Sequence, residues 1–146
     1  MEWRRGQFLI STDRRRLDRD AIHAFLCNSY WAREIPRSVV DRSIENALCF
    51  GVYDGEKLVG FARVITDFAT FAYLSDVFVL ESHRGRGLSK WLMEVILAHP
   101  ELQNLRRWTL ATRDAHGLYE QFGFRRLSQP ERFMEILDSE IYRRPS

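Results

Sequence analysis

Cysteine is scarce. The chain carries only Cys27 and Cys49, and that pair forms neither a metal-binding spacing nor a disulfide framework, so both read as buried reduced thiols. Long apolar runs are missing too. No stretch approaches the roughly 20 residues of a membrane-spanning helix. The opening Met1-Glu2-Trp3-Arg4-Arg5-Gly6 is basic but lacks the apolar core of a secretory signal. A soluble, cytoplasmic chain with no membrane partner is the expectation. Charge of one sign is not in excess either: 22 basic and 20 acidic residues leave a formal charge of +2. A dedicated nucleic-acid binder concentrates basic charge, so no stable nucleic-acid partner is expected. The runs Arg4-Arg5 and Arg14-Arg15-Arg16 read as solvated faces.

Several chemical signatures are also absent. There is no Gly-x-Ser-x-Gly elbow, which argues against a serine hydrolase. Neither cysteine sits at a helix start or in a basic setting that would make it a nucleophile. His23, His83 and His99 have no ligand spacing, so no metal site is inferred, and His116, three residues before Tyr119, reads as an exposed surface histidine. What remains is a core-forming composition, 45% hydrophobic and 13% aromatic over 146 residues. That size fits one domain spanning residues 1–146.

Periodicity gives the order of elements. Residues 6–11 read as a strand. Asp18 to Cys27 reads as a helix, with Ile22, Phe25 and Leu26 on one face. Pro36 suits the first turn of a second helix reaching about Asn46. Leu48–Tyr53 and Leu58–Thr66 form a hairpin about the turn at Asp54-Gly55-Glu56-Lys57, and Phe71–Leu80 adds a third strand. A helix then starts near Gly87, because Leu88, Trp91, Leu92, Val95 and Ile96 make an apolar stripe. His99-Pro100 ends it. Arg107–Thr112 is a strand. Asp114 is expected to cap a short helix running through Phe122, with Gly123 as its stop. Phe124–Leu127 and Phe133–Leu137 look like closing strands, and the tail from Tyr142 looks frayed. The fold class is mixed α/β (α+β), with a largely antiparallel central sheet, flanking helices and one crossover before Arg107.

The stretch from Val77 to Ser89 is the most informative. A strand feeds a glycine loop, and the loop opens an amphipathic helix. Glycine permits positive φ and close backbone approach, and the first N–H groups of a helix lack internal partners. Such a place receives phosphates, and Arg84 and Arg86 add positive charge. The P-loop pattern is absent. The dinucleotide fingerprint fails for want of a third glycine and of a doubly wound sheet. Arg84-Gly85-Arg86-Gly87-Leu88-Ser89 instead matches the pattern Arg/Gln-x-x-Gly-x-Gly/Ala, with Ser89 in the last place.

On that loop, on Ser75-Asp76-Val77-Phe78-Val79 before it, and on Asp114 to Phe124 after it (an Asn-x4-Tyr-x-x-x-Gly-Phe pattern with Asp114 first), the chain resembles the GNAT acetyltransferases from about Leu48 to Leu137. The resemblance implies a splayed central strand pair with the pantetheine arm of acetyl-CoA in the gap. It implies backbone contacts from Val77, Phe78 and Val79, with an N–H near Val79 polarising the thioester. Arg84, Gly85, Arg86, Gly87, Leu88 and Ser89 would take the pyrophosphate. Asp114 stands where the family has asparagine at the pantetheine arm. Tyr119 matches the tyrosine that protonates the departing thiolate, although a packing role beside Leu118 and Phe122 is the competing reading. Asp76 is either a base near the acceptor or a structural group, and strand alternation puts it on the side of Leu74 and Phe78. Asp67 and Glu34 are weaker candidates. Tyr30, Trp31, Phe68, Phe71 and Tyr73 flank the expected acceptor cleft, and their rings with nearby acids suit a small primary amine. The alternatives are a non-catalytic CoA-binding sensor domain and transfer to a protein or tRNA-linked amine. Dimers are frequent in the family, so a homodimer is compatible.

Overall fold

A computed structural model describes residues 1–144. Its elements in chain order are β1 (Glu2–Arg5), β2 (Phe8–Ser11), α1 (Arg19–Leu26), α2 (Arg37–Glu45), β3 (Leu48–Asp54), β4 (Lys57–Thr66), β5 (Phe71–Val79), α3 (Leu88–Ala98), β6 (Arg107–Leu110) and α4 (His116–Glu120), with short 3-10 turns between them. The six strands form one sheet in the order β1-β2-β3-β4-β5-β6. Every neighbouring pair is antiparallel except β5 with β6, which α3 joins as a parallel crossover.

Local chemistry sets these elements. Gly6, at φ 59°, closes the β1–β2 hairpin in the left-handed conformation that glycine adopts without strain. Glu2–Arg5 has no apolar alternation, so its strand is made by this turn and by pairing with β2, which the sequence pattern does not register. Asp18 caps α1 by accepting the Ala21 N–H at 3.0 Å. Pro36 precedes α2 at φ −67°. Arg19 pairs with Asp41 at 3.3 Å and also with Glu45, and Arg37 reaches Asp20, so ion pairs clamp α1 to α2.

The sheet carries a core on each face. On one face α3 buries Leu88, Trp91, Leu92, Met93, Val95 and Ile96 against Ala62, Val64, Ala72 and Leu74. Fully burying a side chain of the size of Leu92 or Ile96 contributes about 1.5–3 kcal/mol. On the other face α1 and α2 bury Ile22, Leu26, Val40 and Ile44 against Phe61 and Phe78. Cys49 lies in this second core, where burial pushes its thiol up to about 11, and Cys27 is half-buried.

Three expectations for the C-terminal third are corrected. Among the described residues no strand follows α4, so Phe124–Leu127 and Phe133–Leu137 do not close the sheet. Their apolar content is real, but among the described residues no strand pairs with them. Asp114 does not cap α4. The helix starts one residue after Ala115, which has no side-chain cap, and Ala115 N–H goes to Thr112 Oγ1 at 3.1 Å. The tail is not frayed at Tyr142, whose ring packs against the second core, while Pro145 and Ser146 lie outside the described residues. Gly123, at φ 95°, does end the α4 turn, with the Phe124 N–H returning to the Tyr119 carbonyl at 3.2 Å.

Candidate active site

The site is built where β5 and β6 part. They pair only from Phe71↔Arg107 to Leu74↔Leu110. Beyond Leu74, β5 continues against β4, as Phe61↔Phe78 and Gly60↔Val79, while the chain after Leu110 turns away toward α4. One edge of β5 from Ser75 to Val79 is therefore free of a strand partner. Leu80 N–H donates to Val59 of β4 at 2.8 Å. Antiparallel alternation then turns Phe78's backbone groups toward β4 and those of Val77 and Val79 toward the gap. Val79's carbonyl accepts Arg84 Nε at 3.0 Å, which ties the following loop to the strand. The Phe78 ring instead stacks on Phe25 of α1, 4.0 Å between centroids, and fixes the strand from below.

A bulge sits in the middle of this edge. Arg63 pairs with Ser75 and Phe61 with Phe78, so Asp76 and Val77 together face Ala62. Asp76 has φ 54°, unusual for a residue with a side chain. The bulge resets the alternation. Leu74 belongs to the α3-side core and Phe78 to the α1-side core, so Asp76 shares a side with Phe78 but not with Leu74 as expected. Its carboxylate is fully engaged. Oδ2 accepts Arg63 Nε at 2.8 Å and Oδ1 accepts Trp31 Nε1 at 2.8 Å, while Arg63 also reaches Ser75 Oγ at 3.3 Å. The pair is nearly dry, with side-chain exposures of 15% for Arg63 and 7% for Asp76. Arg63 was not among the residues singled out from sequence. An arginine on a strand opposite a buried aspartate leaves no motif, and only the β4–β5 register brings the two together.

The glycine loop follows β5. Gly85 and Gly87 take φ 79° and 75°, and a Cβ added at either would meet nothing within 4 Å. Both thus border open space and hold a conformation that L side chains resist. Gly87 is the N-cap of α3 and supplies no capping side chain, leaving the first N–H groups of an eleven-residue helix directed outward. Arg84 and Arg86 are exposed and Ser89 is half-buried, but Leu88 turns its side chain into the core, so only its backbone is available to a ligand. Beneath the loop, His83 Nε2 lies 2.9 Å from Asp54 Oδ2 and anchors it to the β3–β4 turn.

A cleft of about 370 Å³ opens beside the parted strands. Tyr30, Trp31, Arg63, Tyr73, Asp76, Val77, Asp114 and Tyr119 all line it, as does Tyr142. Tyr119 is largely buried, and burial, with Tyr30 acting in the same sense, raises its phenol above the ordinary tyrosine range. Tyr30 is held by Arg113, whose N–H donates to its hydroxyl at 3.0 Å and whose guanidinium lies 3.9 Å from the ring centroid. Asp114 is exposed and within 3.8 Å of Arg113. Phe71 stands apart from this group. It pairs with Arg107 at the outer end of β5, away from the cleft lining. Asp67 is a turn residue: its carboxylate accepts N–H groups of Ala69, Thr70 and Phe71, which holds it far below the usual carboxylate range. Glu34 pairs with Arg143 at 3.6 Å on the surface. Among the described residues no group of three or more His, Cys, Asp or Glu is placed to hold a metal ion, and no helix is long and apolar enough to cross a membrane.

A parallel strand pair that opens onto a glycine loop and an uncapped helix start is the arrangement the resemblance implies. The profile of the acetyltransferase (GNAT) family matches residues 15–124. The chain belongs to that family. A Gibberella zeae protein assigned as an acetyltransferase is 33% identical, over 80% of this chain and 78% of its own. Among solved structures, a Xanthomonas campestris protein assigned to the GNAT acetyltransferases is 51% identical. It superposes with a TM-score of 0.91, covering 92% of this chain and 96% of that one. A Clostridium acetobutylicum acetyltransferase solved with acetyl-CoA shares the fold at a TM-score of 0.62 and 11% identity, over 89% of this chain and 94% of that one. This GNAT chain is thus an acetyltransferase by family and fold, with a six-stranded, mostly antiparallel sheet.

Proposed function

We propose that this GNAT acetyltransferase moves the acetyl group of acetyl-CoA directly onto a primary amine of a small-molecule acceptor. The observation that carries the reading is the parted β5–β6 pair running into the Gly85–Gly87 loop, with Tyr119 on the adjoining cleft. The backbone edge at Val77, with the N–H of Val79, is suited to the amide groups of a pantetheine arm. The uncapped start of α3, flanked by Arg84 and Arg86, is suited to the pyrophosphate. The solved acetyl-CoA complex within the same fold supports that choice of co-substrate.

In the transfer, the neutral amine nitrogen attacks the thioester carbonyl carbon. A tetrahedral oxyanion forms and is stabilised by a strand N–H near Val79. The C–S bond breaks, the sulfur leaves with its electron pair, and Tyr119 donates a proton to it while the nitrogen releases one to solvent. The raised pKa of Tyr119 favours this role, because the phenol stays protonated across the working range. Asp76 spends both carboxylate oxygens on Arg63 and Trp31, which supports positioning of the bulge over a role as base.

The acceptor class rests on the cleft. Its volume suits a small molecule, and the rings of Trp31, Tyr73 and Tyr142 suit a cation. Polyamines, amino sugars, amino acids and lysine peptides would be tested with acetyl-CoA, reading free thiol and the mass of the acetylated product. A small amine that turns over supports the proposal. Reaction with the peptides alone overturns the acceptor class. Acetyl-CoA binding without thiol release from any acceptor favours a non-catalytic CoA sensor.

A further inference from the structure

Among the described residues, the cation lining the cleft beside the parted strands is Arg63, and its donors are only partly spent. Nε donates to Asp76 Oδ2 at 2.8 Å and Nη2 to Ser75 Oγ at 3.3 Å. A guanidinium carries five N–H donors, so the second N–H of Nη2 and both of Nη1 are left over. No group among the described residues accepts from Nη1. Nor is that nitrogen sealed in: the side-chain polar atom that is sealed without a hydrogen bond is the Tyr53 hydroxyl, in the second core. Arg63 Nη1 therefore meets open space in the cleft.

The carboxylates around it are already used. Asp76 accepts Trp31 Nε1 on Oδ1 and Arg63 Nε on Oδ2. Asp114 is 68% exposed and has Arg113 within 3.8 Å. The nearby hydroxyls add donors instead. Ser75 stands opposite Arg63 in the β4–β5 register, and Tyr73 lies two residues before it on the same face of β5. Ser75 Oγ accepts from Arg63 and keeps its own proton to give. The Tyr73 hydroxyl has no partner among the described residues. The unspent polar capacity of this wall is thus donating. A buried donor left unmet is costly, so the wall calls for an acceptor group.

We propose that the amine acceptor also bears a carboxylate, and that Arg63 receives it, helped by the hydroxyls of Ser75 and Tyr73. A carboxylate only accepts, and its two oxygens match the planar arginine fork. Asp76 holds the guanidinium from behind and offsets part of its charge, which favours a singly charged carboxylate over a doubly charged phosphate. The rings of Trp31, Tyr73 and Tyr142 suit the ammonium end of the same molecule. No bond of the carboxylate changes in the transfer, so Arg63 selects the acceptor and takes no part in the chemistry. The inference rests on the reading of a small amine acceptor and narrows it to amino acids over polyamines.

Acetyl transfer to matched pairs that differ in the carboxylate tests it: glycine and glycinamide, β-alanine and β-alaninamide, L-lysine and cadaverine, with O-phosphoethanolamine beside β-alanine. The expected result is at least one acid preferred over its partner by about 30-fold or more in kcat/KM, the scale of losing one side of a buried charged pair, and mostly through KM. Arg63→Gln made together with Asp76→Asn removes both charges and is expected to bring that ratio near one, whatever happens to kcat. Arg63→Lys keeps the charge without the fork and is expected to keep part of the preference. A purely structural Arg63 would slow both members of a pair alike and leave the ratio standing, which overturns the proposal. A wild type that acetylates the amides, cadaverine or O-phosphoethanolamine as readily as any acid also overturns it, and leaves the small-amine reading intact. Acetylation of lysine peptides with no small amine turned over sinks that reading and this inference together.

Discussion

Asp76→Asn separates the two roles open to this residue. The amide still accepts Trp31 Nε1 and, being asparagine, tolerates the φ of 54°. What it loses is the charge opposite Arg63, whose side chain is 15% exposed. Breaking a buried ion pair from one side costs about 3–5 kcal/mol, because the other charge is left without compensation. The retained Trp31 bond places this change near the lower end, about 3 kcal/mol. For a chain of this size that is roughly a 6–12 °C fall in Tm. Arg63→Leu combined with Asp76→Asn removes both charges and is expected to cost no more than the single change, with a coupling of about 2 kcal/mol or more. Urea unfolding of the four proteins measures the cycle. Acetyl transfer measured on the same samples is expected to fall in Arg63→Leu as well as in Asp76→Asn, since each frees the bulge. An Asp76→Asn variant with unchanged Tm and a thousand-fold loss of kcat would refute this reasoning, and would make Asp76 a base instead of a brace.

Other consequences follow from single groups. Tyr119→Phe is expected to lower kcat by about 10²–10⁴-fold with acetyl-CoA affinity retained, as measured by steady-state kinetics and calorimetry; an unchanged kcat would count against the acid role. His99 is buried against Trp3 and Phe50, its Nδ1 accepts the Glu101 N–H at 3.1 Å, and burial depresses its pKa below 6.5. The unfolded chain therefore binds the proton first. The stabilisation from this group is complete above about pH 6.5 and is lost as pH falls below it. Thermal melts are expected to show Tm dropping between pH 6.5 and 5 in wild type, and dropping less in His99→Gln; equal slopes would contradict this.

How much of this was legible in the sequence depended on whether the information was local. The apolar stripe of α3, the β3–β4 turn and the glycine loop each lie within a dozen consecutive residues, and each stands where periodicity places it. The Asp76 bulge was not readable, because it comes from a register shift between β4 and β5 and inverts the alternation beyond Leu74. Arg63 and Tyr142 were missed for a similar reason: they reach the cleft only through tertiary packing. The opposite failure occurred at Phe133–Leu137. Strand composition is genuine there, but a strand needs a partner, and among the described residues none pairs with it. Asp114 has the chemistry of a cap, yet the chain turns one residue too late to use it.

The central claim is that acetyl-CoA lies along the parted β5 edge with its pyrophosphate at the start of α3. Calorimetric titration of acetyl-CoA into the wild type and into Gly87→Glu tests it most directly. Residue 87 has φ 75° and open space before it, so the glutamate places bulk and negative charge where the phosphates would sit, at a strain cost of about 1–2 kcal/mol. The account predicts micromolar binding to the wild type and its loss in a variant that still shows native dichroism. No binding to the wild type at millimolar ligand, or equal binding to both proteins, would contradict it.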